Sequence, residues 1–210
     1  MNSAPPQPAP DFERIRADFP RARTAAYFDN ASTHPLSVHS AEALHRYVEW
    51  LTHEIGEPWW PAWAGTRDQA QQLFASLINA DRDEIAFARS TIEAESNIIN
   101  GMSEHLAGGN VVTNDLAFSA ALYNYQMRQL DGLDVRVVRH RDWQLDVAAM
   151  EAAMNADTRL VSVAMVSNVN GFLADMRALS ELAHARDALL YADIMQAAGA
   201  VPIDVRALGI

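Results

Sequence analysis

The sequence predicts an α/β fold, a mostly parallel sheet with helices on both faces. Three observations carry that prediction. Short apolar runs rich in β-branched residues (NVVTN, DVRVVRH, RLVSVAMV, ALLYAD) recur along the chain. Between them lie segments whose apolar residues return every three to four positions, the period of a helix with one buried stripe. Half of the 210 residues are hydrophobic (50%), enough to fill a core between such layers.

Taken in order, the proline-rich opening MNSAPPQPAP predicts a disordered tail over residues 1–10. DFERIRADFP reads as a short helix stopped by Pro20. A second helix is expected over about 38–55, followed by Trp59, Trp60 and Trp63 in a proline-broken loop. A helix near 66–79 then leads to a strand, DEIAF, at 83–87, and a helix over 91–104 leads to NVVTN at 110–114. Helices around 118–130, 145–156 and 176–186 precede DVRVVRH, RLVSVAMV and ALLYAD in turn. The expected organisation is a tail (1–10), an N-terminal helical segment (11–65) and a sheet domain (66–210).

Composition narrows the function classes. A net charge of -11 with no basic run argues against nucleic acid or an anionic membrane as partner. The absence of cysteine removes disulfides, thiolate metal sites and thiol nucleophiles from these residues. The N-terminus lacks the basic-then-apolar pattern of a signal peptide, and no apolar run approaches the roughly 20 residues that span a bilayer. The expected location is the cytoplasm. All 16 basic residues are arginine; there is no lysine.

In open α/β sheets ligands sit outside the carboxyl ends of the strands. Four groups of residues follow those ends. Arg89-Ser90-Thr91-Ile92-Glu93 follows DEIAF, and Asp115 to Phe118 follows NVVTN. Ser167, Asn168 and Gly171 follow RLVSVAMV, and Asp193 and Gln196 follow ALLYA. A helix start with hydroxyls, an aromatic ring, an amide and a carboxylate would together suit a flat, phosphorylated heteroaromatic ligand. Each has a plainer reading as well. Ser90 with Glu93 makes a capping box, although a helix start also favours a phosphate. Phe118 is a core residue or a stacking ring, and Asn168 suits the turn SNVNG. Asp193 caps the next helix or meets a cation such as a protonated ring nitrogen. His34, His39, His45 and His53 have no carboxylates in register for a metal set, and His34 lies nearest the first loop.

These residues resemble the class V aminotransferases and cysteine desulfurases, fold-type I enzymes that use pyridoxal 5'-phosphate. The resemblance runs from YFDNASTHPLS at 27–37 to ADIMQAAGAVPIDVRALG at 192–209. It includes a strand-Asp-x-x-Gln element, the turn VSNVNG and the phosphate-loop helix start FARSTIEAESN. It implies a cofactor cradle of Ser90, Thr91, Ile92, Phe118, Asn168, Asp193 and Gln196. Asp193 would pair with the pyridine nitrogen, Gln196 and Asn168 would approach the ring hydroxyl, Phe118 would stack, and Thr91 with neighbouring amides would bind phosphate. Asn30, Ala31 and His34 would lie near an amino-acid substrate.

Two departures bear on this. Ile92 stands where the family often has a second hydroxyl, which leaves a backbone contact at most. Phe118 stands where the desulfurase branch usually has a histidine, which leans towards epimerase-like and kynureninase-like branches. The family's Schiff-base lysine is due soon after the Pro-Ile-Asp-Val segment, on a further strand, with a small C-terminal domain beyond. The expectation is therefore a large domain truncated before its last strands and that small domain. No catalytic residue is assigned, the cofactor is non-covalent at most, and the chain is inactive alone. A homodimer or a separately encoded C-terminal half would complete it. The alternative is a non-catalytic truncated remnant or a binding or dimerisation module.

Overall fold

The structure, a computed structural model, describes residues 11–53 and 60–210, with 60–63 as backbone only. The expected tail over residues 1–10, the end of the 38–55 helix and Trp59 fall outside the described residues. The chain divides into two units, Met1–Trp63 and Ala64–Ile210. In the first, helix α1 (Phe12–Ala17) starts where the Asp11 side chain accepts the Arg14 N–H at 3.0 Å. Pro20, with no N–H to continue α1, stands at the start of a one-turn helix, α2 (Arg21–Thr24), which sequence reasoning missed. Helix α3 (Val38–His53) follows Ser37, whose Oγ accepts the Ser40 N–H at 3.1 Å.

Two expectations fail at the start of the sheet domain. Helix α4 runs over Trp60–Ile78, so Trp60 and Trp63 lie in a helix rather than a loop. Pro61 falls in its first turn, where a missing N–H costs no intrahelical bond. Asn79, at φ 58°, ends α4 in the left-handed conformation that asparagine tolerates. DEIAF is not a strand. Arg82–Glu84 form a 3₁₀ turn in which Glu84 Oε2 accepts the Asp81 N–H at 2.7 Å. The extended backbone that follows meets a helix instead of a sheet: the Ile85 carbonyl accepts from Gln71 Nε2 on α4 at 2.6 Å.

The expected 91–104 helix is two helices, α5 (Thr91–Gly101) and α6 (Ser103–Leu106), broken at Met102 after a helix-weakening glycine. Strands β1 (Asn110–Asn114), β2 (Asp134–Val138), β3 (Thr158–Ala164) and β4 (Leu189–Asp193) form one all-parallel sheet in the order β2-β1-β3-β4. Helices α7 (Ser119–Gln129), α8 (Val147–Ala153) and α9 (Met176–His184) connect them, and α10 (Val205–Leu208) follows β4. The last was not expected; Asp204 caps it by accepting the Ala207 N–H at 2.8 Å.

Both faces of the sheet are covered, as the fold class requires. Val111 and Leu160 point to one face with Ile99, Leu106 and Tyr125 of α5, α6 and α7. Val112 and Val161, one residue on, point to the other with Met150 of α8 and Leu179 of α9. All five residues of β1 are buried, which explains its continuous apolar reading. From β1 the chain moves to β2 on one side and then to β3 on the other. The carboxyl ends of β1 and β3 are therefore the topological switch point, where such sheets take ligands.

Candidate functional site

Helix α5 carries the first group of sequence-predicted site residues at its N-terminus. Ser90 is its N-cap, with extended backbone and Oγ accepting the Glu93 N–H at 3.2 Å. Glu93 Oε2 turns back to accept the Arg89 N–H at 2.6 Å, one residue earlier than in a standard capping box. Thr91 and Ile92, both half-buried, supply the first-turn amides that no intrahelical carbonyl reaches. The Ser90 hydroxyl is thus committed to the cap. Ser90→Ala is expected to cost about 1 kcal/mol of stability, read as a lower denaturant midpoint.

The remaining three groups follow the carboxyl ends of β1, β3 and β4, whereas the Ser90 group follows no strand. Phe118 precedes α7 at its N-cap position and is 44% exposed. The turn that carries it is fixed by Asn114 Oδ1, which accepts the Leu116 N–H at 3.0 Å. Buried Ser167 donates its hydroxyl to the Leu116 carbonyl at 2.8 Å, tying the loops after β1 and β3 together. Asn168 is exposed in the next turn, closed by Gly171 N–H to the Ser167 carbonyl at 2.8 Å, with Gly171 at φ 74°. Asp193 ends β4 in register with Ala164. Its carbonyl accepts the Met165 N–H at 2.8 Å, and its Oδ1 accepts the Met195 N–H at 2.9 Å. The side chain is half-buried, and among the described residues no cation ion-pairs with it. Gln196 lies half-buried in the turn that follows.

Asn30, Ala31 and His34 belong to the first unit and are exposed. Asn30 and His34 line a cavity of about 280 Å³ with Phe12, Ile15, Phe19 and Tyr27. His34 Nδ1 lies 2.7 Å from the Pro35 carbonyl, so that nitrogen carries the hydrogen, and the ring meets Phe19 edge-on at 5.7 Å. Among the described residues no group of three or more His, Cys, Asp or Glu side chains could hold a metal ion.

Sequence reasoning passed over two features at the same end of the sheet. Glu95 is 1% exposed on α5 beside the hydroxyls of Tyr125 and Ser162, and burial pushes its carboxyl above the ordinary glutamate range. Its position four residues after Thr91, on the same helix face, was the available signal. The second is a hydrogen-bonded pair. Asp115 Oδ1 accepts the His140 N–H at 2.7 Å, and Oδ2 lies 3.0 Å from His140 Nδ1. Trp143 stacks on that imidazole at 4.6 Å from a turn in which Asp142 and Trp143 both have positive φ (51° and 62°). A bulky residue in that region is an outlier. No single-residue pattern could have announced it.

The class-V aminotransferase family matches residues 26–210. A probable cysteine desulfurase of Methanothermobacter thermautotrophicus is 32% identical over 201 residues, which cover 94% of this chain and 50% of that protein. The cysteine desulfurase CsdA from Escherichia coli superposes with a TM-score of 0.77 at 25% identity, over 94% of this chain and 52% of that one. A C-DES mutant with glycine covalently linked to its PLP cofactor shares the fold, with a TM-score of 0.81 at 17% identity over 93% and 53%. The chain spans about half the length of the curated relatives it matches. With its parallel sheet and a match over residues 26–210, the chain belongs to the class-V aminotransferase family.

Proposed function

We propose that these residues form the cofactor cradle of a pyridoxal-phosphate enzyme acting on an amino acid. The observation that carries this reading is Asp193. Its carboxyl accepts one backbone N–H, from Met195, at the strand end, is half-buried and has no cation partner among the described residues. A buried carboxylate without a countercharge is costly, and a protonated ring nitrogen supplies one. The residues therefore fit the group that the family implies.

When bound, pyridoxal phosphate supplies an electron sink for bonds broken at an amino acid's α-carbon or beyond. The chain's own contribution is placement. Asp193 would hold the proton on the ring nitrogen. Phe118 would pack on the ring face and keep water off it. Asn168 and Gln196 would hydrogen-bond the ring hydroxyl. The Thr91 hydroxyl and the Thr91 and Ile92 amides would bind the phosphate at the positive end of α5, with Ile92 contributing backbone alone. Ser90 would serve that site by fixing the helix start. Asn30, Ala31 and His34 would meet the substrate. No lysine occurs in the 210 residues, so a covalent anchor for the cofactor would come from residues outside them, in a C-terminal half or a partner. The relatives' names favour cysteine as the amino acid, while Phe118 in the stacking position favours a branch other than desulfuration.

The test is direct. Pyridoxal phosphate titrated into the purified chain is expected to give a saturable change in absorbance. Borohydride is expected to fix none of it to a side chain, the α-amine being the one primary amine available. Absence of saturable binding would overturn the reading.

A further inference from the structure

Beneath the strand ends lies a layer of buried polar groups. Glu95 is 1% exposed, Tyr125 1% and Thr113 0%. Glu95 Oε1, Tyr125 Oη and Thr113 Oγ1 make no well-formed hydrogen bond among the described residues, although Glu95, Tyr125 and Ser162 face one another at close range. Native interiors rarely leave such atoms unpaired, and three together mark a polar pocket rather than an accident of packing. Their positions are not random within the sheet. Ser162 on β3 is in register with Tyr191 on β4, and Thr113 follows Val112 on β1 as Ser162 follows its partner Val161. Thr113, Ser162 and Tyr191 therefore form one row across three strands on the α5–α7 face. Asp193 stands two residues beyond Tyr191, on that same face of β4 and one step nearer the ligand end. Glu95 reaches the row from α5, one turn below Thr91.

Resting on the cofactor reading above, we infer that Glu95 is a positioning residue for Asp193. It stays a neutral carboxylic acid, donates its hydrogen within the Tyr125–Ser162–Tyr191 row, and leaves Asp193 as the single anion behind the cofactor ring. Chemistry favours that division. Two carboxylates cannot both ionise cheaply in one poorly hydrated space. Asp193 has the more exposed position and a backbone N–H, that of Met195, donating to its carboxylate, whereas Glu95 is 1% exposed. The groups that face Glu95 are Tyr125 from α7, Ser162 from β3, and Tyr191 and Asp193 from β4. None of them is a cation. Burial and the Asp193 charge both push the Glu95 carboxyl above its ordinary range, and burial is the largest cause that pushes the Tyr125 and Tyr191 hydroxyls up as well.

The sign of the pH effect follows. A folded chain that keeps a proton which the unfolded chain releases loses stability as pH rises above the ordinary glutamate value. Stability is thus expected to decline from about pH 4.5 upward, through the raised folded-state value, and Glu95→Gln is expected to flatten that decline. In the cofactor-free chain at neutral pH, infrared spectroscopy is expected to show a carboxylic-acid carbonyl band that Glu95→Gln removes. With pyridoxal phosphate added, Glu95→Gln, a neutral group of the same shape, is expected to keep the wild-type affinity within about twofold. Glu95→Leu fills the volume without a hydrogen bond and is expected to bind about tenfold more weakly, while folding at least as stably.

The outcomes separate the claims. A missing carboxylic-acid band, or a pH decline that Glu95→Gln leaves intact, means an ionised Glu95 and overturns the inference. So does a Glu95→Leu chain that binds as the wild type does. A wild type with no saturable binding overturns the cofactor reading, and the positioning role falls with it.

Discussion

Asp193→Asn is expected to weaken pyridoxal-phosphate binding by about tenfold to a hundredfold, without loosening the fold. A hydrogen bond to a charged partner is worth about 1.5–3 kcal/mol, and each 1.4 kcal/mol is about tenfold in affinity. Asparagine keeps the side-chain oxygen that accepts the Met195 N–H, and it leaves the carbonyl bond to Met165 N–H untouched. The variant therefore removes charge and little else. Asp193→Ala removes the Met195 bond as well, so its larger loss would mix positioning with electrostatics. Unfolding measured without cofactor should show Asp193→Asn at least as stable as the wild type. The Asp193 carboxylate is half-buried with no cation partner among the described residues, so a neutral amide of the same shape removes a desolvation cost. Fluorescence or calorimetric titration reads the affinity. Equal binding by Asp193→Asn and wild type would remove the ring-nitrogen role.

The contrast between β1 and DEIAF explains how much of this was readable in advance. NVVTN lies at the centre of the sheet with every residue buried, so its pattern was dictated by neighbours on both faces and fell on Asn110–Asn114 as expected. DEIAF carries similar residues, yet its backbone is satisfied by the Gln71 side chain and by the 3₁₀ turn, neither of which has a sequence period. Trp60 and Trp63 were misplaced for a related reason. Proline reads as a breaker along the sequence, but in a first turn its missing N–H is no defect. The carboxyl ends of β1, β3 and β4 were legible because a parallel sheet puts every carboxyl end on the same side, whereas Arg89–Glu93 follows no strand. Glu95 was not, since a glutamate in a helix looks solvated until the facing strands are known. The Asp115–His140 pair was hidden similarly, its partners lying on two different strands' ends.

Leu179→Ala is expected to lower the stability of the chain by about 2–5 kcal/mol, the largest change foreseen for a single core truncation. Leu179 is 0% exposed on α9, in one cluster with Met150, Val161, Val163, Met176 and Ala183. Three elements meet there, α8, α9 and β3, so the space left by three carbons and a branch has no single wall free to collapse into it. Against a typical total of about 5–15 kcal/mol, that is a large share. Denaturant unfolding should show a lower midpoint with an unchanged slope. Leu189→Ala is the comparison, because Leu189 opens edge strand β4 at 47% exposure and surface truncations usually stay within about 0.5 kcal/mol. The two leucines differ by one thing that matters, the number of elements that enclose them. A Leu179→Ala midpoint matching that of Leu189→Ala would mean that α9 does not pack on the sheet as described. The Asp193 and Leu179 variants then move opposite quantities: one loses affinity at constant stability, the other loses stability from a site that touches no ligand. That separation is what the proposed cradle requires, in which side chains at the strand ends would meet the ligand and the layers behind them hold the strands in place.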